Sequence, residues 1–296
     1  MSMNKEKKQK MKVHANFRIN RSPATNACIN VFLGLVACFM VFPMVFAISN
    51  SLKPIEELFI FPPKLFVMNP SFDNYLDLMD IVSNSWVPFS RYLFNTLFIT
   101  VVGTAGQVLL SSLAAFGLSK FKFPGNALCF QIIVFSLMFT STVTAIPSYI
   151  IIAKLGWIDT YLPLIVPFFQ SSLGLYLLKQ FMDANIPDSL IEAAKIDGAS
   201  HLTVYWKIVM PLVKPAWMTL IILCVQNLWN STGGVYIFSE ELKPLTVALS
   251  QLATGTIARS GVSAAVTVVM MVVPAVTFLV SQNQVIETMS TSGMKD

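Results

Sequence analysis

Charged residues along this chain are bunched, and long apolar runs separate the bunches. Six runs of 19 or more residues contain no Asp, Glu, Lys or Arg: Ser22 to Leu52, Tyr92 to Ser119, Phe123 to Ala153, Thr160 to Leu178, Pro215 to Ser239 and Ser260 to Ile286. Within each run the apolar positions are continuous rather than alternating, which suits helices and not barrel strands. A helix rises about 1.5 Å per residue, so roughly 20 residues cross a hydrocarbon core of about 30 Å. The pattern predicts an all-α, polytopic membrane protein with six spans: near 26–49, 90–118, onward from the Phe123-Pro124-Gly125-Asn126 turn to about 153, 161–182, 215–238 and 260–283. Residues 1–25 read as a polar basic tail, 26–284 as the transmembrane domain and 285–296 as a short second tail.

Between the spans lie two segments with structure of their own. Residues 50–88 are rich in Pro and acidic side chains, and Ser71 to Asp80 reads as a short helix capped by Ser71, with Leu76 and Met79 on one face. Residues 183–214 read as two short helices. Asn185 serves as a capping residue before Pro187 and Asp188, and Leu190, Ala193, Ala194 and Asp197 share one face. Asp197-Gly198 is a stop, because Gly adopts the left-handed conformation that a helix end requires. In the second helix Leu202, Tyr205, Trp206, Val209 and Met210 form an apolar stripe. Periodicity alone leaves two roles open: docking into a partner, or lying flat in the lipid interface.

Composition agrees with the run pattern. The chain is 55% hydrophobic and 12% charged, well under the roughly 25% charged residues of a soluble domain. Fourteen Lys and Arg fall on the side of the two termini and six on the other, which predicts cytoplasmic termini. The net charge of +5 is accounted for by the basic tail, which suits anionic lipid headgroups and requires no nucleic acid. Cys28, Cys38, Cys129 and Cys224 all sit in apolar runs without metal-ligand spacing and read as packing residues. Leu35-Val36-Ala37-Cys38 resembles a lipoprotein cleavage site, but the apolar stub that cleavage would leave favours an uncleaved first helix.

The chemistry visible in the sequence is that of passage rather than reaction. A phosphate-binding G-x-x-x-x-G-K-[ST] loop, an H-E-x-x-H pair and a G-x-S-x-G elbow are all missing, and both histidines, His14 and His201, lie outside the spans. The sequence therefore predicts no catalytic residues, no metal ligands, no cofactor and no ATP hydrolysis in this chain. A proton- or ion-coupled carrier usually keeps a charged group in mid-span, and none is present. What the spans do carry is uncharged amides. Gln226, Asn227 and Asn230 cluster beside Trp229, with Asn95 and Gln170 elsewhere. Polar groups and aromatic faces are what a hydroxyl-bearing solute needs along a bilayer path, because an unpaired buried hydroxyl costs about 2–7 kcal/mol. The alternative role for these amides is helix-to-helix bonding.

The 183–214 segment also carries a resemblance. Glu192-Ala193-Ala194-Lys195-Ile196-Asp197-Gly198-Ala199, followed by Ile208-Val209-Met210-Pro211 and Pro215, resembles the EAA loop of ABC importer permeases, with Met210 where the family often has Leu. Trp229-Asn230, Leu245-Thr246-Val247-Ala248-Leu249 and the ending Gln284 to Lys295, with Gly293-Met294-Lys295, are similar to the smaller permease subunit of maltose-type carbohydrate importers. Thr291-Ser292 departs from that ending. The resemblance covers about 25–296 and is nearest to permeases for plant-derived oligosaccharides, of the rhamnogalacturonan type in Bacillus-like bacteria. It implies that Glu192, Ala193, Ala194, Asp197, Gly198, Ala199 and Pro211 couple to a separate ATPase dimer that binds ATP and Mg. It also implies a heterodimer with a second permease, and an extracytoplasmic sugar-binding protein. The competing reading is a passive channel or ion-coupled carrier, which has no use for such a loop.

Overall fold

The computed structural model describes residues 23–83, 86–231, 233–253 and 260–292. The basic tail, the 254–259 stretch and Gly293-Met294-Lys295 lie outside them. Among the described residues every regular element is helical.

The first apolar run forms α1 (Pro23–Ser51), unbroken through Cys38 and Pro43. It is apolar all round, and its most apolar stretch buries nothing against the rest of the chain, so lipid is its natural surrounding. A short turn α2 (Ile55–Leu58) and then α3 (Asp73–Ser83) come next. Ser71 Oγ accepts the Asp73 N–H at 3.0 Å, the role expected of it at this helix start. α3 packs through Asn74, Tyr75 and Leu78, while Leu76 and Met79 both face outward.

The second run forms α4 (Phe89–Lys120), the axis of the fold. Small and weakly polar residues make it so: a Cβ on Gly106 would lie 2.1 Å from the Phe169 ring, and one on Gly103 would lie 2.7 Å from Leu228. Bare backbone at both positions lets two neighbouring helices close onto α4.

The third run departs from the single helix predicted. It forms α5 (Asn126–Ser136) and α6 (Ser141–Lys154), bent by 106°. Ser136 Oγ bonds back to Ile133 O at 2.6 Å, and Leu137, Met138 and Phe139 donate to the third residue before them. Back-bonding and this tighter winding both disrupt the regular ladder. The fourth run is α7 (Leu162–Phe169) and α8 (Ser172–Asn185), interrupted at Gln170, which is extended; Ser171 caps α8 by accepting the Gly174 N–H at 3.0 Å.

After α9 (Asp188–Ile196) and α10 (His201–Leu212), the fifth run forms α11 (Lys214–Trp229). α11 stops short of the predicted 238. A turn at Gly233 (φ +59°) carries the chain back so that Ile237 is buried against Ile99 and Leu164, and Asp159 accepts the N–H groups of Phe238 at 3.0 Å and Ser239 at 2.8 Å. Burial of Ile237 and these bonds replace three further turns of helix. α12 (Leu245–Ala253) and α13 (Ser260–Ser292) complete the chain, α13 running past the predicted 283. Among the described residues α1, α4, the α7–α8 stretch and α13 are each long and apolar enough to cross a membrane, and six spans result when the bent pairs α5–α6 and α10–α11 each count as one. α11 packs on α13 and α4, and α4 packs on α7 and α8.

Candidate functional site

The 186–213 segment folds back onto one end of the bundle. α8 ends at Asn185, whose Nδ2 donates to Phe181 O at 2.9 Å; the residue at the cap of α9 is Pro187. Asn185 therefore closes one helix rather than opening the next. α9 buries Ile191 and Ala194 and turns Leu190, Ala193 and Asp197 outward, so of the four residues read as sharing a face only Ala194 packs inward. Met182 of α8, Ile186 just past its end and Tyr205 of α10 share one buried cluster with Ile191.

Gly198 has φ +80°, and the Ala199 N–H reaches Ala194 O at 3.0 Å, a left-handed helix stop as expected. Ser200 caps α10 by accepting the Thr203 N–H at 3.2 Å. Residues Tyr205–Val209 then wind as a π-turn. One extra residue per turn rotates the remainder of the helix, so Val204, Tyr205, Val209 and Val213 face inward. Leu202 and Trp206, predicted on the buried stripe, are exposed. π-turns inside helices are rare and concentrate at functional sites.

Two sets of bonds fasten this segment to α4. The Tyr205 hydroxyl and Ser112 Oγ lie 2.6 Å apart with both side chains buried. Lys120 Nζ donates to Ile186 O at 2.6 Å and to Asp188 Oδ1 at 3.0 Å. The Lys120 ammonium holds the Asp188 carboxyl below the usual carboxylate range, first through that hydrogen bond and then through its charge. These tethers join positions 66 to 93 residues apart, so no local pattern points to them.

The outer surface of the segment presents Glu192, Ala193, Lys195, Ile196, Asp197, Gly198 and Pro211, with Ala199 half-buried. Ala194 is different. It is buried within the chain and supports the surface from beneath instead of contributing to it.

The predicted pathway residues separate into three groups. Trp229 is buried, and its Nε1 donates to Met270 O at 3.1 Å. Asn95 is fully buried: its Nδ2 donates to Glu241 O at 2.8 Å and Lys243 O at 3.0 Å, and its Oδ1 accepts from Tyr161 at 2.6 Å. Both therefore join elements within the chain, the helix-to-helix role open to such groups, and offer no surface to a passing molecule. Gln226, Asn227 and Asn230 remain accessible and fall within about 100° of arc on α11, at about 100° per residue. Gln170 lies elsewhere, in a cavity of about 320 Å³ with Ser111, Ser136, Ser171 and Ser172. The other flank of α11, through Trp217, Ile221 and Val225, lines an apolar groove of about 740 Å³ with α4 and α10. Among the described residues no cluster of His, Cys, Asp or Glu has the makings of a metal site.

The fold recurs in a solved bacterial ABC transporter that imports the acidic polysaccharide alginate: TM-score 0.75 and 24% identity, over 89% of this chain and 98% of that one. In sequence, the chain is 34% identical over 227 residues to the polygalacturonan/rhamnogalacturonan transport system permease protein YtcP of Bacillus subtilis (strain 168), covering 75% of each. It is 28% identical to the arabinooligosaccharides transport system permease protein AraQ of the same organism, over 76% of this chain and 79% of that one. Residues 107–287, which hold α5 to α12, the α9–α10 loop, the second part of α4 and most of α13, match the model of one family. This chain belongs to that family, the inner membrane components of binding-protein-dependent transport systems.

Proposed function

We propose that the chain is one of two permease subunits of an ATP-driven importer of oligosaccharides, with plant cell-wall oligosaccharides as the substrate class. The observation that carries this reading is the α9–α10 loop. A rigid pair of helices is bolted to α4 at its base, breaks at a left-handed glycine, and turns an uncommitted surface outward. Glu192, Ala193, Asp197 and Gly198, joined by the exposed Ile196 and Leu202, meet a partner ATPase on the cytoplasmic side. Ala199 and Pro211 shape the edges of that contact. ATP and Mg are bound by the ATPase, and this chain contributes no catalytic group.

Gln226, Asn227 and Asn230 line the path for the sugar. A polar arc on a membrane helix has no partner in lipid tails, while hydroxyl-rich substrates need such groups in passage. The apolar groove on the opposite flank of α11 suits a second, homologous permease, and an extracytoplasmic binding protein delivers the sugar. The substrates in the names of the relatives, rhamnogalacturonan and arabinooligosaccharides, support the same class.

The test is purification of the tagged chain in mild detergent from its native membrane, followed by reconstitution. Recovery of an ATPase and a second permease, with ATP-dependent uptake of oligosaccharide once a binding protein is added, is the expected result. A chain that purifies alone and moves sugar without ATP overturns the proposal in favour of a self-contained channel or carrier.

A further inference from the structure

Between the end of α1 and the start of α3 the chain buries two of its four charges, Lys53 and Glu57, and turns most of its large apolar side chains outside. Lys53 is only 2% exposed, and its ammonium donates to Asn50 Oδ1 at 2.8 Å and to Lys64 O at 2.5 Å. Glu57 is 7% exposed, and its carboxylate accepts the N–H groups of Met68 at 2.8 Å and Asn69 at 3.3 Å. The two charges thus clasp the loop's own backbone. Outward stand Phe59, Phe61, Leu65, Phe66 and Met68, with Phe61 91% exposed. A segment in water would reverse both choices, because isolated buried charge is costly and apolar area is driven inward.

Position decides what covers this surface. Lys53 is the second residue past the end of α1, whose apolar circumference is not covered by its own chain. The clasp therefore sits where α1 leaves the hydrocarbon, and its exposed aromatics continue the apolar surface of that helix. Irregular backbone and the one exposed carboxylate of the loop, Glu56, exclude the hydrocarbon core itself. Both are tolerated among headgroups, where apolar side chains dip into the acyl boundary. The exposed Lys64 suits anionic phosphates in the same layer.

We propose that residues 55–68 form a lipid-interface anchor: the clasp made by Lys53 and Glu57 presents Phe59, Phe61, Leu65 and Phe66 to the headgroup layer at the end of α1. The partner is the bilayer surface, not a protein.

The experiment uses the assembled transporter in vesicles of phosphatidylcholine and phosphatidylglycerol. The four native cysteines of this chain are replaced, and single cysteines are placed by Phe61→Cys, Phe66→Cys and, as an exposed reference on α3, Asp77→Cys. Each is labelled with a nitrobenzoxadiazole fluorophore. Lipid carrying a nitroxide near the headgroup is expected to quench the labels at 61 and 66 at least twofold more than the label at 77. Equal quenching at all three positions overturns the proposal. So does shielding of 61 and 66 that appears only when a binding protein is added, which would make the surface a protein dock. Preparations in which Phe61→Cys prevents assembly are replaced by Leu65→Cys, read by the same criterion. The readout needs no transport, so it stands whether or not the importer reading does.

Discussion

At one end of the bundle, α9 and α10 bury Ile191, Tyr205 and Val209 and turn Glu192, Lys195 and Asp197 outward. Around the end of α1, the 53–68 segment does the reverse, burying Lys53 and Glu57 and exposing Phe59, Phe61 and Phe66. Both segments are short, helical in part and joined directly to a membrane helix. On the proposals above their difference is one of surroundings: the first meets a partner across a mixed surface that also exposes Ile196 and Leu202, the second meets lipid. In a membrane protein the direction in which charge points therefore reports what lies outside, and hydropathy summed over a segment does not.

The comparison breaks most sharply at Gly198. Its φ of +80° suits glycine, and no atom lies within 4 Å of where a Cβ would go. A substitution there acts through backbone conformation rather than through a clash. Proline, held near φ −65°, cannot make the turn, so α9 and α10 lose their relative orientation. Gly198→Pro is expected to lower ATP-dependent uptake at least a hundredfold while the chain still inserts and α1 to α8 remain folded. Uptake within a few-fold of the parent would show that the orientation of the two helices does not matter to coupling.

A smaller effect is expected from the bond that seats this segment. Ser112→Ala leaves the buried Tyr205 hydroxyl without this partner, at a cost of about 1–3 kcal/mol, whereas in Tyr205→Phe the Ser112 hydroxyl keeps its bond to Leu109 O at 3.0 Å and the loss is expected to be smaller. Removing both leaves nothing unpaired, so the double variant is expected to be less destabilised than the two singles combined. Thermal unfolding in detergent reads the cycle, and strict additivity would mean that the two hydroxyls do not depend on each other.

Much of this architecture is legible in the sequence, because membrane spans and helix stops are written in local composition. The charge-free runs locate every membrane helix, and Asp197-Gly198 marks the turn between α9 and α10. Three kinds of feature escape a local reading. The break of the third run rests on Ser136 bonding to Ile133 O and to Ser172, which a hydropathy pattern does not register. On α10 the expected stripe keeps Tyr205 and Val209 inward but leaves Leu202 and Trp206 exposed, and the π-turn at Tyr205–Val209 is not written in the apolar spacing. Asn95 and Trp229 look like pathway groups by residue type alone. Only tertiary structure shows that Tyr161, the Glu241 and Lys243 carbonyls and Met270 have already taken their hydrogen bonds.

At the inverted end, Glu57→Ala frees the Met68 and Asn69 N–H groups from the clasp. Losing hydrogen bonds to a charged acceptor costs about 1.5–3 kcal/mol, so amide exchange across 64–70 is expected to rise roughly ten- to hundredfold, since about 1.4 kcal/mol corresponds to each factor of ten. Glu192→Ala, on the exposed face of α9, is expected to change exchange by less than a factor of two in the isolated subunit. Equal responses at the two sites would remove the distinction between a clasping and a surface carboxylate.

The smallest expected effect concerns pH at the Lys120–Asp188 tether. Its carboxyl is held below the ordinary value, so the folded state binds its proton less readily than the unfolded chain does. Stability from this group is present at pH above the unfolded value of about 3.9 and is lost as pH falls through the lower folded one. Asp188 is well exposed, whereas the Lys120 side chain is 5% exposed, and solvent screening keeps the contribution small. Asp188→Asn should therefore lower the melting temperature slightly and by the same amount from pH 8 to pH 5, with the difference closing only below about pH 4. A difference that closes between pH 8 and pH 6 would instead assign the titration to another group.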